Sequence, residues 1–153
     1  AAKDAVIKEF YQSGQLKTEQ FYQDGKRVKE WKTYHSNGEK ATVTPYYENV
    51  VNGEVEEYND QKRLVKTTKY QFNRQSGPVI TYYLNGKKQT ETNYMNAQKS
   101  GRFYEYFENG EVKIKGNHLY NVRQGTWQYF DANGKITKTE TYSRGQLMSS
   151  TEN

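Results

Sequence analysis

The chain of 153 residues contains no cysteine. That excludes disulfides, thiolate nucleophiles and cysteine-based zinc or iron–sulfur sites. It has two prolines and no apolar run near the roughly 18–20 residues that a membrane-spanning helix needs. Aliphatic side chains are scarce. Leu, Ile, Val and Phe together make about 16% of the residues, and mean hydropathy is −1.21. A composition that poor points to disorder only when net charge is also high. Here 23 basic and 18 acidic side chains leave a net charge of only +5. The first residues, Ala1-Ala2-Lys3, fit either an end left by signal-peptide removal or an artificial boundary. A secreted or cell-surface location is the expectation, with the cytoplasm left open.

Aromatic residues are abundant instead: fifteen Tyr, six Phe and two Trp. Each ring can bury about 150–250 Å², so aromatics supply the core that aliphatics do not. They also repeat. Asn37-Gly38, Asn85-Gly86, Asn109-Gly110 and Asn133-Gly134 lie on a 24-residue period, joined by Ser13-Gly14 and, in degenerate form, by Gln61-Lys62. Gly53, Gly77, Gly101 and Gly125 keep the same interval. With Gly25 and Gly145, themselves five periods apart, these account for eleven of the twelve glycines, and only Gly116 falls outside. Five residues after each repeat start stand Phe10, Tyr34, Tyr58, Tyr82, Tyr106 and Phe130. Seventeen after stand Tyr22, Tyr46, Tyr70, Tyr94, His118 and Tyr142. Two after stand Ile7, Trp31, Val55, Val79, Phe103 and Trp127. Six repeats therefore start at residues 5, 29, 53, 77, 101 and 125, and residues 149–153 open a seventh.

One repeat reads as one β-hairpin. Arg102–Phe107 is aromatic and free of Gly and Pro, as a strand should be. Glu108-Asn109-Gly110 is a turn, and Glu111–Lys115 alternates polar with apolar. The spacing excludes helix and leaves no room for crossovers. It predicts an all-β, elongated antiparallel meander of six tandem hairpins, about twelve strands, as a single repeat domain over 1–153. Two registers fit the turn. A two-residue type I′ loop uses Asn109-Gly110 alone; a three-residue loop puts Gly110 in a G1 bulge. The second is preferred, because it sets Tyr106 across from Val112 and gathers on one face the columns at five, seventeen and eleven, the last being Leu16, Lys40, Leu64, Lys88, Val112 and Ile136. The Trp31–Trp127 column then falls on the other face, unless a bulge at the repeat-start glycine turns it back.

The segment Gly125-Thr-Trp127-Gln-Tyr129-Phe130-Asp-Ala-Asn133-Gly134, followed by Lys135-Ile136, Tyr142 and Gly145, resembles the bacterial MORN-variant repeat. The resemblance runs over residues 5–148. It is clearest in the first, fourth, fifth and sixth repeats. The second departs with Pro45 and Val50-Val51, and the third with Lys62 in place of the turn glycine. The resemblance implies a MORN-like antiparallel sheet used for protein or membrane contacts, and some bacterial variants carry antitoxin-type labels. It implies no substrate.

Chemical motifs are lacking. There is no G-x-S-x-G elbow, Walker loop or dinucleotide fingerprint. His35 and His118 lie in distant repeats, so neither a metal site nor a cofactor is expected. Acids such as Glu105 and Glu111 stand beside Lys113 and Lys115, the pattern of a solvated strand face. The reading is a non-enzymatic interaction module that binds a protein partner through an extended aromatic, mixed-charge face. Glycan binding, an acidic membrane surface and antitoxin-like binding are the alternatives, and nucleic acid is disfavoured because no repeat is strongly basic. The candidate contacts are tyrosines outside the two ladders, Tyr83, Tyr104 and Tyr129, helped by Lys62, Arg63, Lys87 and Lys88.

Overall fold

A computed structural model describes residues 4–153. The chain forms two compact units, with the boundary between Arg74 and Gln75. The first contains β1 (Asp4–Phe10), β2 (Leu16–Gln23), β3 (Lys26–Tyr34), β4 (Lys40–Tyr47), β5 (Val50–Val51), β6 (Gly53–Tyr58) and β7 (Leu64–Gln71). They pair in the order β1-β2-β3-β4-β6-β7, with β5 also on β4. The second unit contains β8 (Arg74–Tyr82), β9 (Lys88–Met95), β10 (Gln98–Tyr106), β11 (Val112–Leu119), β12 (Val122–Phe130), β13 (Ile136–Ser143) and β14 (Gln146–Glu152), paired in sequence order. The described residues contain no helix. The antiparallel meander of hairpins is as expected, with fourteen strands rather than about twelve. One extra strand is β14, which belongs to the incomplete seventh repeat. The other is β5, separated from β6 in the repeat that carries Pro45. Proline has no N–H to give a ladder, and the Pro45 carbonyl accepts a bond from Asn52 N at 3.1 Å.

Each repeat has two kinds of turn. At the first, Gly110 N donates to Phe107 O at 2.9 Å and Phe107 N donates to Glu111 O at 2.8 Å. Gly110 has φ +95°, and Tyr106 pairs with Val112. This is the three-residue bulged loop. Asn109 is fixed there because its Oδ1 accepts from Glu111 N at 2.9 Å. The third repeat has Lys62 at the glycine position, held at φ +65°. The second kind of turn is a two-residue type I′ loop, with both central residues at positive φ, such as Tyr120 (+47°) and Asn121 (+73°).

The expected faces are not those observed. Beyond the turn the register slips once more: Tyr106 pairs with Val112, but Glu105 pairs with Ile114, leaving Lys113 unmatched. The same slip occurs in the other five hairpins, as at Phe130↔Ile136 followed by Tyr129↔Lys138. One unmatched residue reverses the facing of everything after it. The column at seventeen therefore leaves the face of the column at five and joins the tryptophan column. Phe103 stacks on Trp127 at 5.3 Å and meets His118 edge-on at 5.6 Å. Trp31 lies between Tyr22 at 5.2 Å and Tyr46 at 4.6 Å. On the opposite side Tyr104 and Tyr106 stack at 5.9 Å. Each unit thus has a tryptophan face, with columns two and seventeen, and a tyrosine face, with column five.

Burial is thin, as a sheet without covering layers requires. Among the described residues only Val43, Ile80 and Trp127 are buried apolar side chains. Gly116 now has a role. Its missing side chain is where the Trp127 indole lies, since a Cβ there would stand 2.2 Å from the ring.

Candidate interaction surface

The tyrosine face of the second unit gathers two of the residues singled out in the sequence. Tyr104 and Lys88 line an open hollow with Tyr106, Glu91, Asn93 and Arg102. Column spacing puts them there: Tyr104 and Tyr106 are alternate residues of β10, and Lys88 and Glu91 come to one side because Gln89 is the unmatched residue of β9. Lys88 Nζ bonds Glu91 Oε1 at 2.9 Å. That bond to Glu91 raises the lysine pKa. Burial, then the Glu91 charge, raises the Tyr106 phenol. The Tyr106 phenol therefore stays a neutral donor at physiological pH, beside one exposed ion pair.

Tyr83 and Lys87 sit on the bulged-turn edge next to this hollow. The Tyr83 hydroxyl donates to Tyr106 O at 2.6 Å, and Lys87 Nζ donates to Asn109 O at 3.0 Å. Both reach from one repeat to the next. Tyr11 repeats the contact in the first unit, donating to Tyr34 O at 2.6 Å, and His35 Nε2 takes it up with Tyr58 O at 2.9 Å. The position after the column-five aromatic thus staples neighbouring hairpins. Lys62 and Arg63 occupy a bulged turn of the first unit, both exposed; Lys62 pairs with Glu39 at 3.5 Å.

Tyr129 lies on the tryptophan face of the second unit, away from Tyr104. Its hydroxyl donates to Glu140 Oε1 at 2.8 Å and accepts from Arg123 at 3.0 Å. The Arg123 guanidinium covers Trp127 at 4.1 Å, and Lys138 Nζ lies 4.2 Å from the Tyr129 ring centre. Glu140 is only 8% exposed. The Tyr129 bond holds its carboxyl below the usual range, helped by Tyr142, Lys138 and Arg123. His118 is also 8% exposed, and its Nδ1 has no partner. Burial lowers its pKa, with Lys99 and Arg123 adding to the effect. This network is closed on itself.

No group of three or more His, Asp or Glu among the described residues is placed to hold a metal. Sequence reasoning passed over Tyr106 and Glu91 as surface residues, because Tyr106 was assigned to a packed ladder. Tyr120, also outside the two ladders but not among the chosen contacts, is 70% exposed at a turn tip. The signal was available: Tyr120 stands in a column otherwise occupied by Asp24, Glu48, Phe72, Asn96 and Arg144.

Comparison with curated proteins returns no match. The MORN repeat variant family matches residues 3–24, 75–96, 99–119 and 123–144. These four segments fall on the first, fourth, fifth and sixth hairpins, the ones with the most regular turns. They cover more than half of the chain, and with the hairpin period and turn glycines described above they show that it belongs to the MORN repeat variant family.

Proposed function

We propose that the protein is a non-enzymatic binding module whose sheet surface engages a protein partner over neighbouring repeats. The observation that carries this reading is the tyrosine face of the second unit, where the stacked Tyr104–Tyr106 pair adjoins the Lys88–Glu91 ion pair in an open hollow. Tyrosines on a rigid strand offer area and a hydroxyl at low entropic cost. The charges beside them supply orientation and selectivity. Membership of a repeat family supports the same reading, since a repeated surface suits contacts spread over several units. The test is calorimetric titration of a partner captured by crosslinking and then purified. Tyr104→Ala should cost about 1–2 kcal/mol of affinity and leave the unfolding midpoint nearly unchanged. Unchanged affinity in both Tyr104→Ala and Lys88→Glu would sink the reading.

One observation favours a second reading, glycan binding. Beside the half-buried Trp31 lies a slot lined by Gln20, Thr33, Thr42, Thr44 and Tyr46, an aromatic wall with hydroxyls and an amide. Titration with soluble oligosaccharides, read by Trp31 fluorescence in a Trp127→Phe background, separates this from the protein-binding reading.

A further inference from the structure

The type I′ turns of the second unit form an edge whose composition differs from that of the rest of the molecule. They are Asn96-Ala97, Tyr120-Asn121 and Arg144-Gly145. From 94 to 99, 118 to 123 and 142 to 148 there is no Asp or Glu, while Lys99, Arg123 and Arg144 are present. Met95, Leu119, Tyr120 and Val122 are 61%, 43%, 70% and 40% exposed. The bulged-turn edge of the same unit carries Glu108, Glu111 and Asp131 among its lysines. The type I′ turns of the first unit include Asp24 and Glu48.

Tyr120 is the centre of this edge. Its φ is +47°, a left-handed conformation that suits Gly, Asn or Asp and strains a bulky side chain. Within the second unit the same position holds Asn96 and Arg144, and in the first Asp24, Glu48 and Phe72. The fold holds the strain through Asn121, whose N donates to Lys99 O at 2.9 Å and whose Oδ1 accepts from Lys99 N at 2.8 Å. The ring, so exposed, returns little packing for that strain. A strained residue held rigidly in solvent is a pointer to function.

We infer that this edge docks an acidic segment of a partner protein that carries apolar anchors. The occupant follows from complementarity. Lys99 and Arg144 attract negative charge, while the Arg123 guanidinium turns to Glu140 at 3.7 Å. The exposed Tyr120, Leu119, Val122 and Met95 offer apolar and amphipathic area that a purely ionic ligand would leave wet. The turn backbones are clasped, so little is ordered on binding. The inference rests on the protein-binding reading and adds to it a second contact surface and the chemistry of what that surface takes.

The probe is a fluorescein-labelled twelve-residue peptide alternating Glu or Asp with Leu or Phe, compared with its Lys counterpart, by anisotropy on the full chain. The variant is Tyr120→Asn, which installs the residue the fourth repeat uses at this turn and relieves the strain. The acidic peptide should bind at least tenfold tighter than the basic one, and more weakly as salt is raised. Tyr120→Asn should weaken it at least tenfold while the unfolding midpoint holds or rises. Tyr104→Ala should change peptide affinity less than twofold. A fallen midpoint in Tyr120→Asn would make Tyr120 structural and overturn the inference. So would equal binding of both peptides, binding of neither, or tighter binding of phosphatidylglycerol vesicles with the same dependence on Tyr120. If Tyr104→Ala abolishes binding of the acidic peptide and Tyr120→Asn does not, the sheet-face reading stands and the edge fails. The reverse result upholds the edge, and the face is decided by the partner titration with Tyr104→Ala and Lys88→Glu.

Discussion

Trp31 in the first unit and Trp127 in the second stand at the same position of repeats four periods apart. Both indoles donate to the carbonyl ten residues back, Trp31 to Phe21 O at 3.0 Å and Trp127 to Asn117 O at 3.1 Å. Both have an arginine over the ring and a column-seventeen tyrosine beside it. Yet Trp127 is 1% exposed, whereas Trp31 is half-buried. The difference lies on the neighbouring strand. Below Trp127 is Gly116; the equivalent residue below Trp31 is Gln20. The indole drops onto the bare backbone in one case and is kept off it in the other. Arg123 then comes within 4.1 Å of its ring, while Arg27 stays at 5.9 Å. The surroundings differ too. Tyr129, Lys138 and Glu140 close the second site, and Thr33, Thr42 and Thr44 leave the first open. One repeat unit is thus used as an anchor in one place and as a surface in another.

The largest effect expected from this comparison is on stability. Trp127→Ala should cost about 3–5 kcal/mol, as a sealed aromatic does. Trp31→Ala should cost roughly 1.5–3 kcal/mol, since less area leaves water. Urea unfolding of the two variants measures both. Equal losses would mean that exposure does not report anchoring here.

A sharper form exchanges the residue beneath each ring. Gly116→Ala should destabilise by about 1–3 kcal/mol through overpacking, because the added carbon falls inside the indole. Trp127 emission, read in a Trp31→Phe background, should move to the red and become more open to iodide. Gln20→Gly should move Trp31 in the opposite sense. If Gly116→Ala leaves both emission and stability unchanged, the bare backbone is not what seats Trp127.

Much of this architecture was readable before any coordinates. The 24-residue interval of Asn37-Gly38, Asn85-Gly86 and their kin fixes hairpins, because Gly and Asn tolerate the positive φ a tight turn demands. Pairing of Tyr106 with Val112 followed from the same residues. The faces did not. They depend on the one-residue slip beyond each turn, which falls on Lys17, Ala41, Val65, Gln89, Lys113 and Thr137. These six side chains share no chemistry, so the slip leaves no mark in composition. Gly116 was visible as an exception to the period but not as the floor of Trp127, a contact made across strands. At the candidate surface, Tyr104 was found because it is surplus to the ladders, and Lys88 because it is one of the basic residues that interleave with the aromatics. Tyr129 satisfied the same criterion and turned out to bond Glu140 and Arg123, since alternation decides the side a tyrosine takes.

Acid offers a third way to separate the two sites. Burial holds the His118 pKa below its ordinary 6.5, with Lys99 and Arg123 lowering it further. The unfolded chain therefore takes up the proton first. Stability is undiminished above pH 6.5 and falls as pH drops below it. Glu140 acts at lower pH. Its carboxyl is held below 4.5 chiefly by the Tyr129 bond, so its contribution is intact above 4.5 and is lost as pH falls through its lower folded value. The Trp31 site has Tyr22 and Thr44 in these places, with neither an imidazole nor a carboxyl. Trp127 should thus loosen in mild acid before Trp31 does. His118→Tyr should flatten the part between pH 6.5 and 4.5, as followed by Trp127 fluorescence in urea. A slope unchanged by that substitution would place the proton elsewhere.

The smallest effect concerns the turns, where the third repeat departs from the glycine that the regular repeats use. Lys62 is held at φ +65°, and Gly110 has the same role at φ +95°. A side chain in this region strains the backbone, and glycine relieves the strain at some cost in unfolded-state entropy. Lys62 gives little back: its ammonium reaches Glu39 at 3.5 Å with the side chain 73% exposed, and such surface pairs contribute about 0–1 kcal/mol. Relief of a left-handed non-glycine residue outweighs that pair, since the strain is on the order of 1–2 kcal/mol. Lys62→Gly should therefore stabilise by about 0.5–1 kcal/mol net, which for a chain of this length is roughly 1–4 °C in melting temperature. Gly110→Lys, the reverse change in a regular repeat, should lower it by a similar or larger amount. Calorimetric scans of the two variants at one protein concentration decide the matter. A lower melting temperature for Lys62→Gly would show that the third repeat depends on its lysine, through Glu39 or through a contact that only the ammonium makes.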